Sequence, residues 1–71
     1  MEITITPMKY GFSGLDERGP DVECAREDAD FFEVCHEYDG GQACSEYELK
    51  SLDAAEALET IYPDAAIVWN D

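Results

Sequence analysis

Cys24, Cys35, His36 and Cys44 are the ligand types of a Cys3His zinc site. Their spacing argues against one. Structural zinc sites draw ligands in pairs about two to four residues apart, whereas Cys35 and His36 are neighbours that point to opposite faces of a strand. The run Glu27-Asp28-Ala29-Asp30 holds the acids of a calcium loop but not the glycine at position six or the glutamate at position twelve. No Ser, Asp or second His stands at a spacing that suggests a nucleophilic triad, and no glycine-rich phosphate loop or Walker pattern occurs. A carboxylate pair for acid–base work needs a pocket that drives two pKa values apart, which 71 residues scarcely provide. The expectation is a non-enzyme with no catalytic residue, no metal and no cofactor.

What remains is carboxylate. Eighteen Asp and Glu stand against four Lys and Arg, a formal net charge of -14. Charge this far from zero opposes folding by self-repulsion. It also disfavours nucleic acid and anionic membranes as partners and suits a strongly basic protein surface. Solubility alone and a halophilic source are the plainer explanations; the charge is larger than solubility requires. The candidate partner-binding acids are Glu33, Glu37, Glu46, Glu48, Asp53, Glu56 and Glu59, with Asp28 and Asp30 behind them because their local structure is less defined. On a helix, Asp53, Glu56 and Glu59 place neighbouring side chains about 5–6 Å apart. On a strand, Glu46 and Glu48 are roughly 6.8 Å apart. Duplex DNA presents one phosphate per roughly 3.4 Å of axis on each strand, and further apart through space. Fixed carboxylates at such separations imitate a phosphate row.

The element that must position them is the stretch Asp30–Leu49. Phe32, Val34, His36 and Tyr38 alternate with Glu33, Cys35, Glu37 and Asp39; beyond Gly40-Gly41, Ala43, Ser45, Tyr47 and Leu49 alternate with Cys44, Glu46 and Glu48. Period-two patterning on both sides of a Gly-Gly pair predicts a β-hairpin. With Gly40-Gly41 as the turn, Asp39 faces Gln42, Val34 faces Tyr47 and Phe32 faces Leu49. On the other side Glu33 faces Glu48, Cys35 faces Glu46 and Glu37 faces Cys44. The first face is a core face, on which His36 is expected as a hydrogen-bonded core residue. The second is acidic. Two carboxylates directly opposed destabilise a sheet, so stability does not explain them.

Met1–Thr6 alternates and is rich in β-branched residues, which predicts a strand that Pro7 ends or marks as an edge. Met8–Phe12 is expected to continue as a second short strand after a bend, and the glycine-punctuated segment up to Pro20 reads as a loop. Pro20–Ala29 reads as a short helix, with Pro20 at its first position, or as a loop. Ser51–Tyr62 is the clearest helix: Ser51 caps it, Ala54, Leu58 and Ile61 form the apolar stripe, and Pro63 stops it. Ala65–Trp69 is an apolar strand whose lack of alternation suggests a central position. The fold class is α+β, a single acidic domain over residues 1–71. Its small antiparallel-rich sheet comprises the hairpin 31–49 and the N- and C-terminal strands, with one or two helices on one face. Two helices make it ferredoxin-like βαββαβ; one leaves a sheet with a single helix. The hairpin's core face is expected on Leu58, Ile61 and Tyr62. Cys24 and Cys35 are expected as small buried hydrophobes.

No apolar run approaches the roughly 18 residues of a membrane span. The start MEITITP lacks the pattern of a signal peptide, and an odd cysteine count suits reduced thiols, so the chain is expected to be cytoplasmic. In size, acidity and sheet-plus-helix pattern the whole chain resembles the DNA-mimic inhibitors of phages and mobile elements, and among them the small acidic anti-CRISPR proteins, type I-C inhibitors foremost. No diagnostic motif carries the resemblance. It implies a monomer in the host bacterial cell that binds a basic DNA-binding protein or complex, such as the PAM-reading subunit of Cascade, and blocks target DNA without touching nucleic acid itself. Inhibitors of uracil-DNA glycosylase and of restriction enzymes are variants of the same idea. The alternative is a small acidic accessory domain on another basic protein, without DNA competition.

Overall fold

Strand β1, Glu2–Phe12, is the spine of the sheet in the computed structural model, which describes residues 1–12, 18–38 and 45–71. One edge of β1 pairs antiparallel with β3 (Phe31–Glu37) from Glu2 to Met8. Its other edge is shared. β5 (Ala66–Trp69) runs parallel along Glu2–Ile5, and β2 (Arg18–Glu23) runs antiparallel along Met8–Phe12. β4 (Ser45–Leu49) lies on the far side of β3. The single α-helix, α1 (Leu52–Ile61), links β4 to β5 and covers one face. The α+β class, with an antiparallel-rich sheet and a helix on one face, is as the patterning predicts.

The hairpin register is also as predicted. Phe32 faces Leu49, Glu33 faces Glu48, Val34 faces Tyr47 and Cys35 faces Glu46, with His36 opposite Ser45. The Gly40-Gly41 turn and the pairings Asp39–Gln42 and Glu37–Cys44 lie outside the described residues.

Pro7 does not end the first strand, which continues through Met8–Phe12. The Pro7 carbonyl accepts from Cys24 N at 3.1 Å, and the Ile5 carbonyl accepts from Asn70 N at 2.9 Å. Both bonds lie on the shared edge. In a strand a residue's N–H and C=O point the same way, so the missing N–H of Pro7 falls in the gap between β5 and β2, where no ladder bond is lost.

The segment Pro20–Ala29 is not an α-helix. It ends β2 and adds a 3-10 turn at Arg26–Asp28, so βαββαβ does not form and the one-helix arrangement holds. The reason is burial. Val22 is 52% exposed and the stretch has no apolar stripe to cover. Pairing with the outer half of β1 satisfies more backbone than an uncovered helix would bury. Pro20 is tolerated because β2 is an edge strand. The register shifts between Lys9 and Gly11, and a Cβ on Gly11 would stand 1.9 Å from the Pro20 carbonyl oxygen. Only glycine permits that approach.

In α1, Ser51 Oγ accepts from Ala54 N at 3.1 Å, the predicted N-cap. The buried stripe is turned from the predicted one. Ala55 and Leu58 are buried with Leu52 and Tyr62 packed beside them, whereas Ile61 is 62% exposed. β5 is an edge strand, not a central one. Ile67 and Trp69 face the helix, and Ala66 and Val68 are exposed on the side the helix leaves bare.

The core joins Ile3, Ile5, Phe32 and Val34 to Ala55 and Leu58, and Phe32 meets the Trp69 ring edge-to-face at 6.2 Å. Arg26 pins the C-terminus. Its guanidinium lies 3.8 Å over the Trp69 ring and bonds the Asp71 carboxylate. That hydrogen bond holds the Asp71 carboxyl below its ordinary pKa. A carboxyl lowered by folding adds stability above its unfolded pKa and loses it as pH falls through the folded value. Asp71→Asn should therefore lower the melting temperature slightly at neutral pH and leave it unchanged well below the carboxylate range, as thermal melts at the two pH values would show.

Candidate functional site

Alternation sorts the strands into a covered face and an open one. Ile3, Ile5, Phe32, Val34 and His36 face the helix. The residues between them, Glu2, Thr4, Thr6, Glu33, Cys35 and Glu37, face the other way, and the β4 register adds Glu46 and Glu48. Rows run across this open face. Thr6 neighbours Glu33, which neighbours Glu48; Thr4 neighbours Cys35, which neighbours Glu46; and Glu2 neighbours Glu37. A shallow groove of about 310 Å3 lies along it, lined by Thr4, Thr6, Glu33, Cys35, Glu46 and Glu48 and by parts of Val34 and Tyr47. Asn70 Nδ2 donates to Thr6 Oγ1 at 3.2 Å and closes the side toward β5.

Two carboxylate pairs stand directly opposed here, Glu33 with Glu48 and Glu2 with Glu37. Such neighbours have Cβ atoms about 4.5–5.5 Å apart and repel. Glu2 was not among the candidates. Its place on the polar side of β1 is legible from the alternation; that β1 would lie beside β3 is not.

One end of the face carries a cation. Lys50 Nζ donates to Glu48 Oε2 at 3.3 Å and to Tyr10 Oη at 3.2 Å, and lies 5.5 Å from the Phe31 ring centre. Hydrogen bonding to Tyr10, then to Glu48, raises the Lys50 pKa. Beneath it Phe31 is buried and stacks on Tyr10 at 5.0 Å.

Asp53, Glu56 and Glu59 are exposed on α1, on the opposite side of the sheet from Glu33, Glu46 and Glu48. The seven leading acids are thus two separate surfaces, and no flat partner reaches both. The helical set is partly answered from within. Trp69 Nε1 donates to Glu59 at 3.3 Å, and the field of Glu56 and Glu59 helps to raise the Arg26 pKa, after its bond to Asp71. Asp28 ends the 3-10 turn, exposed. Asp30 serves the local backbone. Its Oδ2 accepts from Tyr10 N at 3.0 Å, and its own N donates to the Met8 carbonyl at 2.8 Å.

His36 is the buried polar side chain among the described residues, 4% exposed, with Nε2 2.6 Å from Tyr47 Oη and the Tyr62 ring edge-on at 5.1 Å. This is the hydrogen-bonded core histidine the alternation predicts. Burial, then the nearby Tyr62 and Tyr38, pushes the Tyr47 phenol up. Tyr47→Phe would take from buried His36 the partner of its ring nitrogen and should cost about 1–3 kcal/mol, measurable by urea denaturation.

Cys24 and Cys35 are half-buried rather than fully buried. Burial and then Asp28, outweighing Lys9, raise the Cys24 pKa, which keeps it a thiol and not a nucleophilic thiolate. Cys44 lies outside the described residues. Among the described residues no three His, Cys, Asp or Glu side chains converge on a metal position. No helix among them is long and apolar enough to cross a membrane. In comparisons with known proteins the chain matches no family model, no curated protein and no solved structure.

Proposed function

We propose that this protein is a non-enzymatic inhibitor that presents carboxylates in place of DNA phosphates and so blocks the DNA-binding surface of a nucleic-acid-binding defence complex. A type I CRISPR Cascade inside the bacterial cell is the leading target, through its PAM-reading subunit. What supports the reading above all is the two pairs of directly opposed, exposed glutamates, Glu33–Glu48 and Glu2–Glu37, on the sheet face away from the helix. Such pairs oppose folding, and a chain of net charge -14 already carries repulsion everywhere else. A basic surface built to hold phosphates turns the same repulsion into attraction, and opposite fields speed the encounter.

The test is capture from a lysate of bacteria that express a type I Cascade, with the protein immobilised, followed by elution with duplex DNA. The expected result is retention of the complex and its release by the duplex and by added salt, which screens the attraction. In the same salt series the isolated domain should melt higher, because its self-repulsion is screened too. Retention of a protein with no nucleic-acid-binding surface would favour an acidic accessory domain. A domain folded only near molar salt would point to a halophilic origin for the charge.

A further inference from the structure

We infer that the open sheet face, and not the helical face, receives the partner, and that it does so by taking arginine side chains between Glu33, Glu46 and Glu48. This rests on the inhibitor reading for its biology but not for its chemistry.

The face is an exposed sheet surface rich in carboxylates, with one cation, Lys50, at its end among the described residues. Glu33 and Glu48 are direct neighbours across the ladder, and Glu46 is two residues from Glu48 on the same strand. The three therefore mark a triangle with sides of about 5 to 8 Å. A guanidinium carries five N–H donors in a planar fork and bonds two carboxylates at once; an ammonium acts as a point charge. The groove supplies the room, and Thr4 and Thr6 supply a floor of small side chains rather than bulky ones.

The face also shows what it holds. Lys50, from the chain itself, already lies against it, bonded to Glu48 and resting over the Tyr10 and Phe31 rings. Among the described residues no cation is joined to Glu33 or Glu46. On the helical side Arg26 is bonded to Asp71 within the field of Glu56 and Glu59, and Trp69 Nε1 donates to Glu59. Each side thus has one resident cation among the described residues; what sets the open face apart is the direct opposition of Glu33 and Glu48.

The probe is a nine-arginine peptide, titrated into the isotopically labelled full chain and followed by amide chemical shifts. Shifts should saturate on Thr4, Thr6, Glu33, Cys35, Glu46 and Glu48 while residues 52–61 stay nearly still. Two variants of equal charge change separate position from net charge. Glu33→Gln/Glu46→Gln/Glu48→Gln should weaken binding about tenfold or more, whereas Asp53→Asn/Glu56→Gln/Glu59→Gln should weaken it less than about threefold. A nine-lysine peptide should bind several-fold more weakly. Each variant's fold is checked by its amide dispersion. Shifts centred on the helix, equal losses in the two variants, or equal binding of the two peptides would each overturn the inference. No DNA takes part, so a failed DNA competition leaves this result standing. A failure here leaves the inhibitor reading open on the helical face.

Discussion

Phe32→Ala is expected to be the most destabilising single core change, removing a large share of the domain's stability. Phe32 is 2% exposed, sits among Ile5, Val34, Ala55 and Leu58, and meets Trp69 edge-to-face. Removing a buried phenylalanine ring costs about 3–5 kcal/mol, the lost burial plus the cavity left behind. Native stability is roughly 0.05–0.15 kcal/mol per residue, or about 4–11 kcal/mol for 71 residues, so that loss takes between about a quarter and all of it. One layer of sheet under one helix gives the core no second wall that could close the void. Val34→Ala and Leu58→Ala act at the same core and should cost about 1–4 kcal/mol each. Ile61→Ala should be almost silent because Ile61 is mostly exposed. Glu33→Gln should hold or raise the melting temperature by relieving its repulsion of Glu48. Urea denaturation followed by circular dichroism ranks all five.

The second large effect is on binding. Replacing Glu33, Glu37, Glu46 and Glu48 together by Gln should remove most of the affinity for a basic partner and leave the circular dichroism spectrum unchanged. Each exposed ion pair contributes about 0.2–1 kcal/mol, and more where water is excluded. Four on one face amount to roughly fourfold to a thousandfold in affinity. Single changes should erode binding in small steps, since a distributed surface seldom rests on one residue. Grouping by face matters. A set such as Glu46, Glu48, Asp53 and Glu56 straddles both sides of the sheet, so only part of it can meet one partner. It should lose less than the open-face set despite the same change in charge.

Much of this was legible in the residues. The register of the hairpin followed from a two-residue period on either side of a glycine pair, because a slip of one residue would bury every glutamate. Ser51 and Pro63 bracketed the helix. What was not legible came from tertiary pairing. Nothing local says that β1 divides one edge between β5 and β2, and that division turned Pro20–Glu23 into a strand and made Pro7 harmless. Leu58 and Tyr62 pack against the core as expected, but Ala55 and Leu52 take the place expected of Ala54 and Ile61, because the rotation of the helix over the sheet is set by tertiary contact and not by its own spacing. The same gap affected the acids. Spacing along the chain placed Glu46, Glu48, Asp53, Glu56 and Glu59 in rows, but the side of the sheet each row occupies depends on the helix crossing over it. Glu2 entered the array for a related reason, through a neighbour more than thirty residues away.

Competition with DNA decides the central claim. A fluorescently labelled target duplex is bound to a type I Cascade and its anisotropy is followed as this protein is added, at several fixed duplex concentrations. The result expected is full release of the duplex, with a midpoint that rises in proportion to the duplex present, and little release by the four-Gln variant of the open face. A duplex that stays bound at saturating protein, with both ligands on the complex at full affinity, would contradict it.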